Sequence, residues 1–175
     1  MNQLLDNMLR AAKLDVTLYE TVEADKSMLG QATLVVVISS LAAGIGSMGA
    51  GITGILLGTV ISLIGWYVWA YLTYFIGTRF LAEPQTKADA GELLRTIGFS
   101  SSPGVIRILG IIPGLNTVVN LVAGIWMLVA MVIAVRQALD YNSTGRAIAV
   151  CVIGWIIQMI IIFVFVGAFV AAGAR

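Results

Sequence analysis

The chain is 175 residues long, 59% apolar and 11% charged, with a mean hydropathy of +0.99, too little charge to hydrate the whole surface of a water-soluble domain, so much of that surface faces lipid. Ten Lys and Arg against nine Asp and Glu leave a net charge of +1, which provides no basic field for holding nucleic acid. The absence of histidine removes imidazole-ligated haem, His-based metal sites and Ser-His-Asp catalysis, and the single Cys151 excludes an internal disulfide.

Residues 1–27 form a separate piece with five acids and three bases. Leu5, Met8, Leu9, Ala12, Val16 and Tyr19 recur at intervals of three and four, which predicts an amphipathic helix or a pair of short ones. The acidic excess argues against charge-driven binding to anionic lipid, so a protein partner or the chain's own bundle is the expected docking surface. With eight charges and no apolar run, this stretch is not expected to act as a cleavable signal.

Residues 28–175 are read as the membrane domain. Between Lys26 and Arg79 lie 52 residues without a charge. About 20 helical residues cross a hydrocarbon core of about 30 Å, so this interval suits two crossings, predicted at 28–45 and 52–80. Gly44, Gly46, Gly49, Gly51 and Gly54 mark the reversal between them. In the second helix Gly54, Gly58, Ser62 and Gly65 form a small-residue stripe, expected to pack against another helix of the chain or, failing that, of a second copy. The neighbouring Trp66, Tyr67, Trp69, Tyr71 and Tyr74 read as an interface belt or lipid-facing anchor.

Asp89 to Ile97 is a second amphipathic piece, expected to run along the cytoplasmic surface. The next charge-free interval, between Arg107 and Arg136, encloses 28 residues and is broken by Pro113-Gly114. It yields one full span at 115–136 and a short third segment at 103–114, whose part from Pro103 to Ile112 is about 15 Å of helix. That segment either crosses or re-enters. If it crosses, nine of the ten Lys and Arg lie on the cytoplasmic side; if it re-enters, eight do. The count favours five spans with a cytoplasmic N-terminus, the last span at 147–172.

On the fourth helix Asn116, Asn120, Ala123, Met127, Ala130, Ala134 and Gln137 share one face, with Ala123, Ala130 and Ala134 expected to pack into the bundle. Gln158 lies near the centre of the last span and needs an amide partner, for which Asn120 or a backbone carbonyl is expected. Arg107 is an intramembrane cation, expected to snorkel towards the cytoplasmic headgroups or to pair with Asp89, Glu92 or Asp140.

Several short pieces resemble the Yip-domain family, small multi-span proteins named for the eukaryotic Ypt/Rab-interacting proteins. They are Leu14-Asp15, Tyr19-Glu20 and Glu23-Ala24-Asp25 ahead of the first span; Gly98-Phe99 with Pro103 four residues on; Ile112-Pro113-Gly114; and Arg136-Gln137-Ala138-Leu139-Asp140. The Gly98, Phe99, Pro103 spacing is similar to the family's glycine-tyrosine-x-x-x-proline signature, with Phe in place of Tyr. The resemblance implies an all-α bundle of five membrane helices and a cytoplasmic N-terminus. The aspartate-leucine-tyrosine-glycine-proline motif of the eukaryotic branch is missing, so the resemblance does not carry over a GTPase partner.

No nucleophile with a base, phosphate-cradling loop or intramembrane carboxylate pair stands in the sequence, so neither an enzyme activity nor a cofactor is expected. The leading expectation is a membrane adaptor, scaffold or accessory subunit of a larger complex in a bacterial plasma membrane, meeting its protein partner through residues 1–27 or the glycine-rich helix faces. The rival is a small-solute transporter or channel whose polar path runs by Arg107, Asn116, Asn120 and Gln158.

Overall fold

The computed structural model describes residues 2–47, 49 and 51–173. Its elements are α1 (Asn2–Ala12), α2 (Val16–Ala24), a 3-10 turn (Lys26–Met28), α3 (Leu29–Gly46), α4 (Gly51–Arg79), α5 (Ala90–Ser100), a 3-10 helix (Ser102–Ile111), α6 (Asn116–Ala138) and α7 (Thr144–Gly173). Four helical stretches are long and apolar enough to cross a membrane: Lys26–Gly46, Gly51–Arg79, Asn116–Ala138 and Thr144–Ile161. Their outward faces carry exposed Ile61, Leu121, Ile125 and Ile156, a flank suited to hydrocarbon and not to water. The chain is built as an integral membrane protein.

The expected third membrane helix at 103–114 requires correction. Ser102–Ile111 is a 3-10 helix of 10 residues, so the five transmembrane helices expected become four. The chain nevertheless passes along the bundle once more. Asn116 Nδ2 donates to the Gly46 carbonyl at 2.8 Å, which sets the start of α6 beside the end of α3. The Tyr141 hydroxyl donates to the Gly77 carbonyl at 2.8 Å, which sets the end of α6 beside the end of α4. The chain between Arg79 and Asn116 therefore travels from one end of the bundle, here called the base, to the Gly46 end. It does so as α5 running into the 3-10 helix, roughly 36 Å from 1.5 Å and 2.0 Å rises. The second expectation for this region also changes. Instead of lying along the cytoplasmic surface, α5 buries every residue from Leu93 to Ser100 between its neighbours.

Small residues explain how this passage fits. Gly98, Gly104 and Gly110 face Ala32, Ser39 and Gly46 of α3 in turn. A Cβ on Gly104 would stand 2.1 Å from Ser39 Oγ, and one on Gly46 would stand 1.9 Å from the Arg107 carbonyl oxygen. A 3-10 helix returns to the same face every three residues, so Gly104 and Gly110 share a face; an α-helix does so after two turns, about seven residues, as from Ala32 to Ser39 to Gly46. The two rows run parallel and in register. The change of helix type is set by Pro103, buried in the first turn of the 3-10 helix, where it has no N–H to return to the Phe99 carbonyl. That carbonyl accepts instead from Ser102 Oγ at 2.7 Å.

At the base, α2 and α5 close the core with Leu18, Tyr19, Val22, Leu93 and Phe99, all fully buried. Asp15 caps α2 by accepting from the Thr17 N–H, and Asp89 and Glu92 form a reciprocal capping box on α5. The amphipathic piece expected in residues 1–27, as one helix or a pair of short ones, is a pair; of its expected apolar face Met8 and Tyr19 are buried on the chain's own bundle, together with Ala11, Leu18 and Val22, whereas Leu5, Leu9 and Val16 are exposed. Asn7 Nδ2 donates to Gln31 Oε1 at 3.0 Å, and Trp126 Nε1 donates to the Ala12 carbonyl at 2.7 Å.

Candidate functional site

Two recesses stand apart in the bundle. The first lies on its flank, where α3, α4, α6, α7 and the 3-10 helix enclose a cavity of about 700 Å³. Most of its wall is apolar, including Val36, Trp66, Ile97, Met131 and Ile148. Arg107, Gln158 and Trp69 also line it, and Arg107 Nε and Trp69 Nε1 are buried there without a hydrogen-bond partner among the described residues. Leu128, Val152 and Trp155 line the cavity and are also exposed on the outside, so it opens through the flank.

Arg107 does not occupy the place its sequence neighbours suggested. Its backbone touches Gly46, at the opposite end of the bundle from Asp89, Glu92 and Asp140, and it forms no ion pair among the described residues. Snorkelling to the basal side and pairing with those acids are both corrected. The four polar residues of the expected path also part company. Arg107 and Gln158 share the flank cavity, whereas Asn116 bonds the Gly46 carbonyl and the exposed Asn120 donates to the Asn116 carbonyl of its own helix at 2.9 Å. Asn120 is not the partner of Gln158.

The second recess lies at the base, between α2, the connection from α4 to α5 and the turn from α6 to α7. Its cavity of about 820 Å³ is lined by Glu20, Glu23, Lys87, Arg136 and Asp140, among others. Arg95 anchors one wall. Buried at 4% exposure, it donates from Nε to the Val22 carbonyl at 2.9 Å and from Nη2 to the Glu23 carbonyl, capping the C-terminal end of α2, where a cation also suits the helix dipole. Arg136 shapes the opposite wall by donating to the Tyr141 and Asn142 carbonyls at 3.1 and 3.3 Å. Asp140, in the left-handed region at φ 53°, accepts from the Lys87 N–H at 3.3 Å. Partial burial, reinforced by the carboxylates of Asp140, Glu92 and Glu20, pushes Glu23 up from 4.5 to about 7. Glu92 is also raised, chiefly by burial, whereas Asp15, held by the Thr17 hydroxyl and then Arg10, falls to about 2.

The Yip1 domain's family model matches residues 16–166, spanning α2 through most of α7. The chain belongs to the Yip1-domain family. Neither a curated protein nor a solved structure matches it. Within this Yip1 domain the motif residues have structural tasks. Gly98 admits Ala32 and the Trp66 ring, Phe99 is fully buried in the core, and Pro103 sets the switch to 3-10 geometry. Arg136 and Asp140 build the basal turn.

The small-residue expectations divide. Ala123, Ala130 and Ala134 are fully buried. On α4, by contrast, Gly54 is half-buried, Gly58 and Ser62 are exposed, and a Cβ on Gly58 or Gly65 would meet no atom of the described residues within 4 Å, so none of the described residues seats on that stripe at those glycines. The aromatic run divides too. Tyr67 and Tyr71 face outward, while Trp66 and Trp69 are buried, and Trp66 Nε1 donates to the Leu94 carbonyl at 3.0 Å. Sequence reasoning missed Arg95 and Ser39. A cation amid the apolar residues of α5 was the available signal for Arg95, and the seven-residue spacing from Ala32 to Gly46 was the signal for Ser39.

Proposed function

We propose that the chain is a non-enzymatic membrane adaptor or scaffold, an accessory subunit in a bacterial plasma membrane with its N-terminus and base on the cytoplasmic side. The observation that carries this reading is the basal recess. It presents Glu20, Glu23 and Asp140 beside Lys87 and Arg136 at the surface of the bundle, on walls fixed by Arg95 and Tyr141. A rigid pocket of mixed charge suits a polar protein segment with complementary charges. The stripe of Gly58 and Ser62 on α4, which no described residue covers, supports a second contact, with a partner helix inside the membrane. A transport path draws less support, because Asn116 and Asn120 stand outside the cavity that holds Arg107 and Gln158.

The test is isolation of the full chain from native membranes in mild detergent, with a Glu20→Lys variant alongside. A defined protein that co-purifies in fixed ratio with the unaltered chain and is lost from Glu20→Lys supports the adaptor. A lone monomer under conditions that keep known assemblies of the same membrane intact overturns it.

A further inference from the structure

We propose that the flank cavity is a binding site for one anionic phospholipid, whose phosphate sits on Arg107 and whose acyl chain lies against the apolar wall. This inference is independent of the basal recess.

Three observations converge on it. The first is charge: Arg107 lines an otherwise apolar cavity, and no acid of the described residues pairs with it. A guanidinium in low-dielectric surroundings is costly to leave uncompensated, and its paired N–H groups fit a phosphate better than any neutral head. The second is hydrogen bonding. Arg107 Nε and Trp69 Nε1 are donors buried without acceptors, and Gln158 adds an amide on the same wall. Those two nitrogens lie beneath the cavity surface, whose wall carries the rest of the Arg107 side chain and the Gln158 amide but no carboxylate, which selects a ligand rich in acceptors; phosphate and ester oxygens supply them. The third is access. The cavity opens through exposed Leu128, Val152 and Trp155 on the flank that meets hydrocarbon, so its occupant enters sideways from the bilayer. About 700 Å³ lies within the range of sites that enclose small-molecule and cofactor-sized ligands, enough for a head and one chain, with the second chain left in the bilayer.

The wall also supplies its own plug. Gly65 lines the cavity, and a side chain placed on it meets no atom within 4 Å at its first carbon. Gly65→Leu thus projects into the space the lipid would use without displacing backbone.

The experiment uses the full chain reconstituted in phosphatidylcholine vesicles that contain brominated phosphatidylglycerol, brominated phosphatidylcholine or brominated fatty acid at equal bromine content, with tryptophan quenching as the readout. Trp66, Trp69 and Trp155 line the cavity. The unaltered chain is expected to show severalfold stronger quenching by the brominated phosphatidylglycerol than by the brominated phosphatidylcholine. Arg107→Gln and Gly65→Leu are each expected to abolish that preference, while Lys13→Gln, which removes an exposed cation elsewhere, retains it. Matching far-ultraviolet circular dichroism identifies variants that remain folded, and Gly65→Leu tests the cavity without touching the charge. Equal quenching by the two phospholipids overturns the proposal, as does a preference that survives both cavity variants. Preferential quenching by the fatty acid alone overturns it in favour of a free carboxylate.

Discussion

Glu23 shows how one side chain registers the crowding of the base. It is half-buried on α2, its own backbone carbonyl bonds to Arg95, and it lies near the carboxylates of Asp140 and Glu92 on neighbouring elements and of Glu20 on α2 itself. Burial is the largest cause of its rise from 4.5 to about 7, and the three negative charges add to it. The folded chain therefore binds this proton more tightly than the unfolded chain. The linked stability is fully present at low pH and is lost as pH climbs from about 4.5 to about 7. Glu23→Gln removes the titration. Its melting temperature is expected to match that of the unaltered chain below the window, to pull ahead through it and to hold a constant lead above about pH 7. Solvent still reaches the side chain, so the lead is small. Melting curves in detergent across this range provide the check, and a difference that does not change with pH refutes the assignment.

Among the elements, the seam between α3 and the passage of α5 into the 3-10 helix decides whether the bundle closes. Gly46 meets the Arg107 carbonyl so closely that a methyl group has no room, and both partners are backbone. Gly46→Ala is expected to cost at least the 1–3 kcal/mol, approximately, of an overpacked core. Gly58→Ala on α4 meets none of the described residues within 4 Å and is expected to gain up to about 1 kcal/mol from helix propensity. Unfolding both variants in a denaturing detergent titration compares them directly, and similar effects at the two glycines would show that the 3-10 helix is not seated on α3. The same seam marks the limit of what the sequence discloses. Absence of charge located the long helices, whose ends lie within three residues of 28–45, 52–80, 115–136 and 147–172. It misplaced α5, because an amphipathic pattern over Asp89 to Ile97 suits a helix on the membrane surface as well as one inside the bundle. Arg95 in fact spends its donors on the carbonyls of α2, and Thr96 Oγ1 donates to the Glu92 carbonyl at 2.9 Å. Small residues read as a stripe on α4, whereas the row of Ala32, Ser39 and Gly46 on α3 was missed although its spacing stands in the sequence. Which of the two patterns receives a neighbour depends on partners distant in sequence, so periodicity within one helix carries no information about it.

For the molecule as a whole, the path of the chain and its direction across the bilayer are separate questions. The hydrogen bonds from Asn116 to Gly46 and from Tyr141 to Gly77 fix the path, with α6 running back from the Gly46 end to the base. The direction proposed here rests on charge: Arg79, Lys87, Arg95, Arg136 and Arg146 belong to the base, whereas Arg107 touches the end of α3, so by the positive-inside tendency the base is expected to face the cytoplasm. Single cysteines at Lys87, Ser143, Ser47 and Thr117, each exposed, in a Cys151→Ala background separate the alternatives with an impermeant maleimide on sealed vesicles. Lys87 and Ser143 positions are expected to react from the cytoplasmic side, and Ser47 and Thr117 positions from the other. A re-entrant 3-10 helix would instead leave Thr117 on the same side as Lys87 and move Ser143 across, because only four passes would then remain. The same reactivity from the opposite faces would keep the path and reverse the direction, placing the basal recess outside the cell and out of reach of a cytoplasmic partner.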